Sequence, residues 1–351
     1  MKKFNLLGVG AALIDMQFSI EDSLLAELDL QKGTMDLKDS ENQNDTFKKL
    51  NKKYGESVNA CGGSATNTIY AASILGSKCS FIGKVANDIN GNLYVDNLNN
   101  AGVKNNCISN DDGISGSCII MVSPDAERTM STFLGISSQL NELDISEEMV
   151  SETQIVYLEG YLVTSDCCNE AANKIIKLAK LNNTKIAISL SDPNIVSAFK
   201  EKLEVWMKEK IDYLFCNEEE AKTFASTNDL SQAKEELIKY SKTVFITEGS
   251  NGATIVTADL DIKIKGFKAK AIDTNGAGDM FAGATLNQLI KGESCQKAAE
   301  FGCYLASKGV ENYGPRLSDE EYKKFQLLFA CLLYTSPSPR DLSTARMPSS
   351  A

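Results

Sequence analysis

The stretch Ile272-Asp273-Thr274-Asn275-Gly276-Ala277-Gly278-Asp279, running into the small-residue apolar segment 280–290, decides how the rest of the chain is read. Its two glycines let the backbone turn sharply and leave successive N–H groups uncovered. A helix beginning there adds its own unpaired N–H groups and the positive end of its dipole, so the turn is suited to receive an anion such as phosphate. Asp279 stands where the chain enters the helix. On local grounds alone, the same residues also describe a glycine-rich turn with Asp279 as the helix cap.

Upstream of this turn, the apolar runs 155–159, 185–190, 213–216 and 244–248 have the character of buried parallel strands. Helical stretches 169–181, 196–208, 218–224 and 231–241 separate them, and a helix pair, 279–291 and 294–307, follows. Nearer the N-terminus, a strand at 4–10, a helix at 67–75, a strand at 79–83 and a helix at 91–100 continue the rhythm. The alternation predicts an α/β fold, a doubly wound and mainly parallel sheet with helices on both faces. Two stretches break it. Segment 16–57 is polar and charge-rich with no consistent period, and 115–134 reads as a hairpin of 117–123 and 128–133 around Pro124-Asp125-Ala126. Segments 16–57 and 113–135 are therefore expected to form a small β-lid on a single domain covering 1–331. The Ser- and Pro-rich segment 332–351 is set apart as a read-through tail expected to be disordered.

At 351 residues the chain suits one large α/β domain. A net charge of -11 argues against nucleic acid as a partner. No histidine is present, which removes mechanisms that need a histidine base, nucleophile partner or metal ligand. The 10 cysteines show no CxxC spacing and read as reduced thiols of a cytoplasmic protein. No segment approaches the roughly 18 apolar residues of a membrane span. A Walker A loop is absent, and Gly8-Val9-Gly10-Ala11-Ala12-Leu13 lacks the third glycine of a dinucleotide fingerprint.

Four motifs occur in order. Gly8, Gly10 and Asp15 fit G-x-G-x-x-x-x-D; Cys61-Gly62-Gly63-Ser64-Ala65-Thr66-Asn67 is a second glycine motif; Gly83 to Gly91 fit G-x-V-[GA]-x-D-x-x-G; Asp273 to Asp279 fit D-T-x-G-A-G-D. With these, the sequence resembles the PfkB/ribokinase family of sugar and nucleoside kinases over most of its length. The resemblance implies a ribokinase-like fold, ATP as donor and Asp279 as catalytic base. It implies that the N–H groups of Asn275, Gly276, Ala277 and Gly278 form the anion hole. Asp15, Gly62, Gly63, Asn67 and Glu159 would hold the acceptor sugar. Asn217 and Glu220 of Asn217-Glu218-Glu219-Glu220 would organise Mg²⁺ through water, although the same spacing is a helix capping box. Thr247, Gly249 and Gly252, with Asn275, would flank the nucleotide, although Asn251-Gly252 is equally a hairpin turn. Ser189, Ser191 and Asp192 fall at strand ends, and Leu190-Ser191-Asp192 would line the phosphate side. Asp273 would belong to a monovalent-cation loop, for K⁺, and Tyr313-Gly314-Pro315-Arg316 would flank that cation or the adenine.

Within the family, Leu158-Glu159-Gly160-Tyr161-Leu162, Leu190-Ser191-Asp192 and Tyr313-Gly314-Pro315-Arg316 look more like bacterial adenosine-kinase-type members. The resemblance thus implies phosphoryl transfer to a primary hydroxyl of a ribose-bearing nucleoside, with a free-sugar kinase of ribokinase or fructokinase type as the alternative. A catalytically silent nucleotide-binding regulator is disfavoured because Asp279 is present. The partners expected are a small-molecule acceptor, no nucleic acid and no membrane, for a monomer or homodimer.

Overall fold

The strands Phe4–Val9, Thr153–Glu159, Lys185–Ser189, Ile211–Asn217 and Ser241–Thr247 lie side by side and parallel in a nine-stranded sheet. Cys79–Ile82 and Lys104–Asn105 extend it in parallel on one edge, and Gly252–Val256 and Asp261–Lys265 complete it antiparallel on the other. This computed structural model describes residues 2–335 apart from Asp111 and Ala126. The alternation of side chains along each strand feeds two cores. Val156, Leu158, Ile186, Ile188 and Leu214 pack with Ile175, Leu203, Trp206 and Phe224 from helices on one face. Ile155, Tyr157, Ala187, Phe215 and Phe245 pack with Ile69, Phe281 and Leu286 from helices on the other. Because both faces are covered, the strands read as continuous apolar runs, and the doubly wound expectation holds.

A second sheet has five strands in the order Met35–Leu37, Arg128–Phe133, Gly116–Val122, Leu13–Ser19 and Val58–Gly62. The expected hairpin is its centre, with Met130 opposite Ile120. Segment 16–57 is more ordered than its sequence suggested. It contains the helices Ser23–Glu27 and Ser40–Tyr54 as well as sheet strands. A helical stripe was present, at Gln43, Phe47, Leu50 and Tyr54, but only two of these are buried, so the polar residues around them masked it.

Several boundaries move. The helix read at 231–241 is Leu230–Leu237, and Ser241 already begins the next strand. The last described helix, Asp319–Thr335, runs four residues beyond the tail boundary drawn at 331. It is anchored upstream by Tyr322 and by Phe329, whose ring packs on Phe301 and Tyr304. The remainder of that tail, 336–351, lies outside the described residues. Among the described residues no helix is long and apolar enough to cross a membrane.

Candidate active site

The carboxyl ends of the parallel strands place Glu159, Ser189, Asn217 and Thr247 along one rim of the large sheet, where ligands collect in open α/β sheets. The helix Ala277–Ile290 points its N-terminus at this rim. Its cap is Gly276, at φ 71°, and a Cβ there would lie 2.5 Å from the Pro315 carbonyl oxygen, so the position requires glycine. Asp279 is therefore not the cap. It is the third residue of the helix, and its half-buried carboxylate accepts from Ser64 Oγ at 2.7 Å and Asn67 Nδ2 at 3.1 Å. Burial pushes its pKa up to about 6, against the opposing pull of those two donors and of Arg128 and Arg316.

The anion hole differs from expectation in two of its four members. The Asn275 N–H donates to Asp273 Oδ1 at 2.8 Å, and the Ala277 N–H donates to the Thr274 carbonyl at 3.3 Å. A short carboxylate two residues upstream captures the first in a local turn. The N–H groups of Gly276, Gly278 and Asp279 have no acceptor among the described residues. A Cβ on Gly278 would meet nothing within 4 Å, so this corner faces open groove. A phosphate fits it: three unpaired N–H groups converge at a helix N-terminus.

On one side of Asp279 lies a chamber whose polar end is formed by Asp15, Gly63, Asn67, Arg128 and Asp279. Asp15 lies so close over Gly62 that a Cβ there would fall within 2.2 Å of all three atoms of its carboxylate group. Asp15 accepts no hydrogen bond from the described residues. Burial raises its pKa to about 7 despite the attraction of Arg316. Asn67 is engaged at both ends: Nδ2 donates to Asp279, and Oδ1 accepts from Arg316 Nε at 2.8 Å. It thus orients the Asp279 carboxylate, in addition to facing the chamber. Glu159 accepts the N–H groups of Ala11 and Ala65, each at 2.7 Å. It is a strut joining the first strand's end to the start of the helix Ser64–Ile74, and both oxygens are occupied by backbone. Burial lifts its pKa to about 7. The far end of the chamber is apolar, roofed by Leu13, Met35, Leu37, Ile120, Met130 and Leu134 from the second sheet and its exit.

On the other side lies a groove formed by Thr247, Gly249, Ser250, Gly252, Phe267, Thr274, Gly278, Phe281, Ala306 and Val310. Gly252 has two places in the fold. It opens the antiparallel strand at φ 100°, where a Cβ would overlap the Ile264 carbonyl, and it lines the groove. Asn217 and Glu220 form the capping box, with the Glu220 N–H donating to Asn217 Oδ1 at 2.8 Å and Glu220 Oε1 accepting from Asn217 Nδ2 at 2.7 Å. Glu220 also borders the space shared with Asp279, Ser189 and Ser191. Burial, reinforced by Asp192 and Asp279, raises its pKa to about 8. Asp192 itself caps the helix Pro193–Met207.

Asp273 is wholly buried. Its oxygens accept from Asn275 N–H, Gly314 N–H at 2.8 Å and Gln17 Nε2 at 2.9 Å. Three donors around one carboxylate are the wrong partners for a cation, so the residues present do not fit Asp273 as a K⁺ ligand. Arg316 stacks on Tyr70 at 4.3 Å and holds Asn67 and Asn97, while Tyr313 is exposed.

The match to the family model described as pfkB family carbohydrate kinase extends over residues 33–321. The chain belongs to this family. It is 26% identical over 337 residues to adenosine kinase 2 of Arabidopsis thaliana, covering 88% of this chain and 94% of that protein. It is 28% identical over 266 residues to 5-dehydro-2-deoxygluconokinase of Clostridium botulinum, covering 72% and 78%. Among solved structures, adenosine kinase from Sinorhizobium meliloti superposes with a TM-score of 0.88 at 27% identity, covering 93% of this chain and 99% of that one. The protein is thus a kinase that transfers a phosphoryl group to an alcohol of a small molecule.

For a pfkB-family kinase the residue most informative among those the sequence did not single out is Arg128. It projects from the second sheet, and its Nη1 donates to Asn275 Oδ1 at 2.5 Å beside the phosphate corner. A signal existed. Lysine supplies nearly all the positive charge of this chain, and before residue 340 the only arginines are Arg128 and Arg316. Both pull on Asp15 and Asp279. A planar, always charged fork is the natural choice beside phosphate and carboxylate, and lysine does not replace it.

Proposed function

We propose that this kinase phosphorylates the primary hydroxyl of a ribose-bearing nucleoside, with ATP as donor. The observation that carries the acceptor class is the shape of the chamber. Hydroxyl-binding groups, Asp15 first, occupy the end beside Asp279, and an apolar vault of Leu13, Met35, Leu37, Ile120, Met130 and Leu134 continues beyond. A bare sugar satisfies the first part and leaves the second unfilled. A ribose carrying a flat base fills both. The adenosine kinases among its relatives support the same reading.

In this mechanism Asp15 accepts hydrogen bonds from two ring hydroxyls, which its unpartnered oxygens permit, and so turns the primary hydroxyl toward Asp279. Asp279 accepts that hydroxyl's proton as its oxygen attacks the γ-phosphorus, and the bond from that phosphorus to the bridging β-phosphate oxygen breaks, with ADP as the leaving group. Ser64 and Asn67 fix the carboxylate's orientation. The charge on the transferred group meets the N–H groups of Gly276, Gly278 and Asp279 and the Arg128 guanidinium. The apolar groove along Phe267, Phe281 and Val310 takes the nucleotide's base.

The region around Glu220 also fits a hydrated Mg²⁺. Asp192 and Asp279 both disfavour the charge on Glu220 there, a tension that a cation relieves. No cluster of three ligating side chains exists among the described residues, which agrees with a metal that keeps most of its waters. Bound Mg²⁺ would supply charge neutralisation at the phosphates, and Glu220 would hold it through water. The test is ADP release across a panel of nucleosides and sugars. Turnover with adenosine or another nucleoside well above that with ribose, fructose and sugar acids is the expected result. Preferential turnover of a free sugar would overturn the acceptor class.

A further inference from the structure

The strand Leu13–Ser19 carries Asp15 and Gln17 on the same face, because side chains two apart in a strand point the same way. Asp15 looks into the acceptor chamber. Gln17, also buried, donates from Nε2 to Asp273 Oδ2 at 2.9 Å, across a separation of 256 residues. Asp273 in turn holds the Asn275 N–H and the Gly314 N–H, and so sets the turn that leads into Gly276 and the phosphate corner. One strand of the second sheet thus touches both ends of the reaction. A second link runs parallel to it, from Arg128 of the same sheet to Asn275.

We propose that Gln17 is a positioning residue that couples the two sites: with acceptor engaged at Asp15, the strand is held in the register that lets Gln17 fix Asp273, and the anion corner binds phosphate more tightly. This rests on the assignment of Asp15 to the acceptor. The physical case is one of redundancy. Asp273 is fully buried and keeps two backbone donors without Gln17, so its carboxylate stays satisfied and the turn still forms. What Gln17 adds is the connection to the second sheet. A side chain needed only for folding would sit where its loss leaves a buried group unpaired, and that is not the case here. By linkage, any tightening of nucleotide by acceptor equals the tightening of acceptor by nucleotide.

The test uses Gln17→Met, close in size but without the donor, and Gln17→Glu, which places a charge against Asp273. Calorimetry on the full chain gives the Kd of a non-hydrolysable ATP analogue alone and with saturating acceptor, the acceptor being the best substrate of the panel. In the parent protein the acceptor is expected to tighten the analogue by about fivefold or more, the lower end of ordinary coupling. In Gln17→Met that ratio should fall to near one, with kcat lowered about tenfold, the acceptor Kd unchanged without nucleotide but weakened about fivefold in the presence of the analogue, as linkage requires, and Tm nearly unchanged. Gln17→Glu should lose the coupling as fully. A ratio kept in Gln17→Met, or no coupling in the parent, overturns the proposal. So does a parallel fall of Tm and of every ligand's affinity in both variants, which would make Gln17 structural. If the panel's best substrate is a sugar, the acceptor class is corrected and the coupling is measured with that sugar, so the two failures remain distinct.

Discussion

The two sides of Asp279 are made of different materials. The acceptor chamber presents side chains: Asp15 and Asn67 at its polar end, and a vault of leucines and methionines beyond. The side proposed for the nucleotide presents backbone: N–H groups at Gly276, Gly278 and Asp279, then a groove of glycines, alanines and two phenylalanines. Side chains can be exchanged one at a time to suit a new acceptor. Backbone N–H groups cannot be exchanged; they are kept by glycines that hold a particular turn.

The joint between the two sides should show the largest effect. Asp279→Asn keeps shape, its amide oxygen still accepting from Asn67 and its NH2 able to donate to the Ser64 hydroxyl, but removes the proton acceptor, and kcat should fall by roughly 10²–10⁴-fold with little change in Tm. A variant keeping half its activity would mean the two sides meet elsewhere. Next in size is Asp15→Ala, which removes the acceptor's hydrogen-bonding partner. Acceptor KM should rise about 10- to 100-fold, the cost of hydroxyls left unpaired, while ATP KM stays within about threefold. Equal weakening of both ligands would erase the distinction between the sides.

A pH profile sharpens the same division. Burial holds Asp279 near 6, above an ordinary carboxylate, so it is a competent base above about pH 6 and is lost as pH falls through that value. kcat at pH 5 should be about tenfold below its plateau, one decade per unit below a single pKa. Asp15, raised to about 7, should lift acceptor KM over a slightly higher window as it protonates. An acid limb with kcat flat down to pH 5 would remove Asp279 from proton transfer. The smallest effect is expected at Gly278→Ala. Its methyl meets no protein atom, so folding is unaffected, but it projects into the phosphate groove. ATP KM should rise several-fold, on the order of 1 kcal/mol of lost fit, with acceptor KM unchanged. A change confined to acceptor KM would reverse the assignment of the two sides.

Much of this was legible along the chain because it depends on local order. The parallel strands announce themselves as apolar runs, since both faces of the sheet are covered. The turn at Asp273 to Asp279 carries its glycines and its carboxylate within seven residues. Segment 16–57 was not legible in the same way, because the helix Ser40–Tyr54 buries so little that its period is lost among polar residues. Asn275 and Ala277 were assigned to the anion hole from position alone, and only the hydrogen bonds made by Asp273 and Thr274 show their N–H groups to be spent.

Sequence by itself determined the class of fold and the glycine turn that opens the helix Ala277–Ile290, because each is specified by residues close together in the chain and by backbone rules that neighbours hardly alter. Tertiary structure decided which long-range partners complete them. Arg128, Arg316 and Gln17 come to Asn275, Asn67 and Asp273 from 147, 249 and 256 residues away. No periodicity encodes such a meeting. It follows from how the second sheet and the C-terminal loop fold over the rim of the first, where a buried carboxylate or amide must find a partner or cost the fold its desolvation.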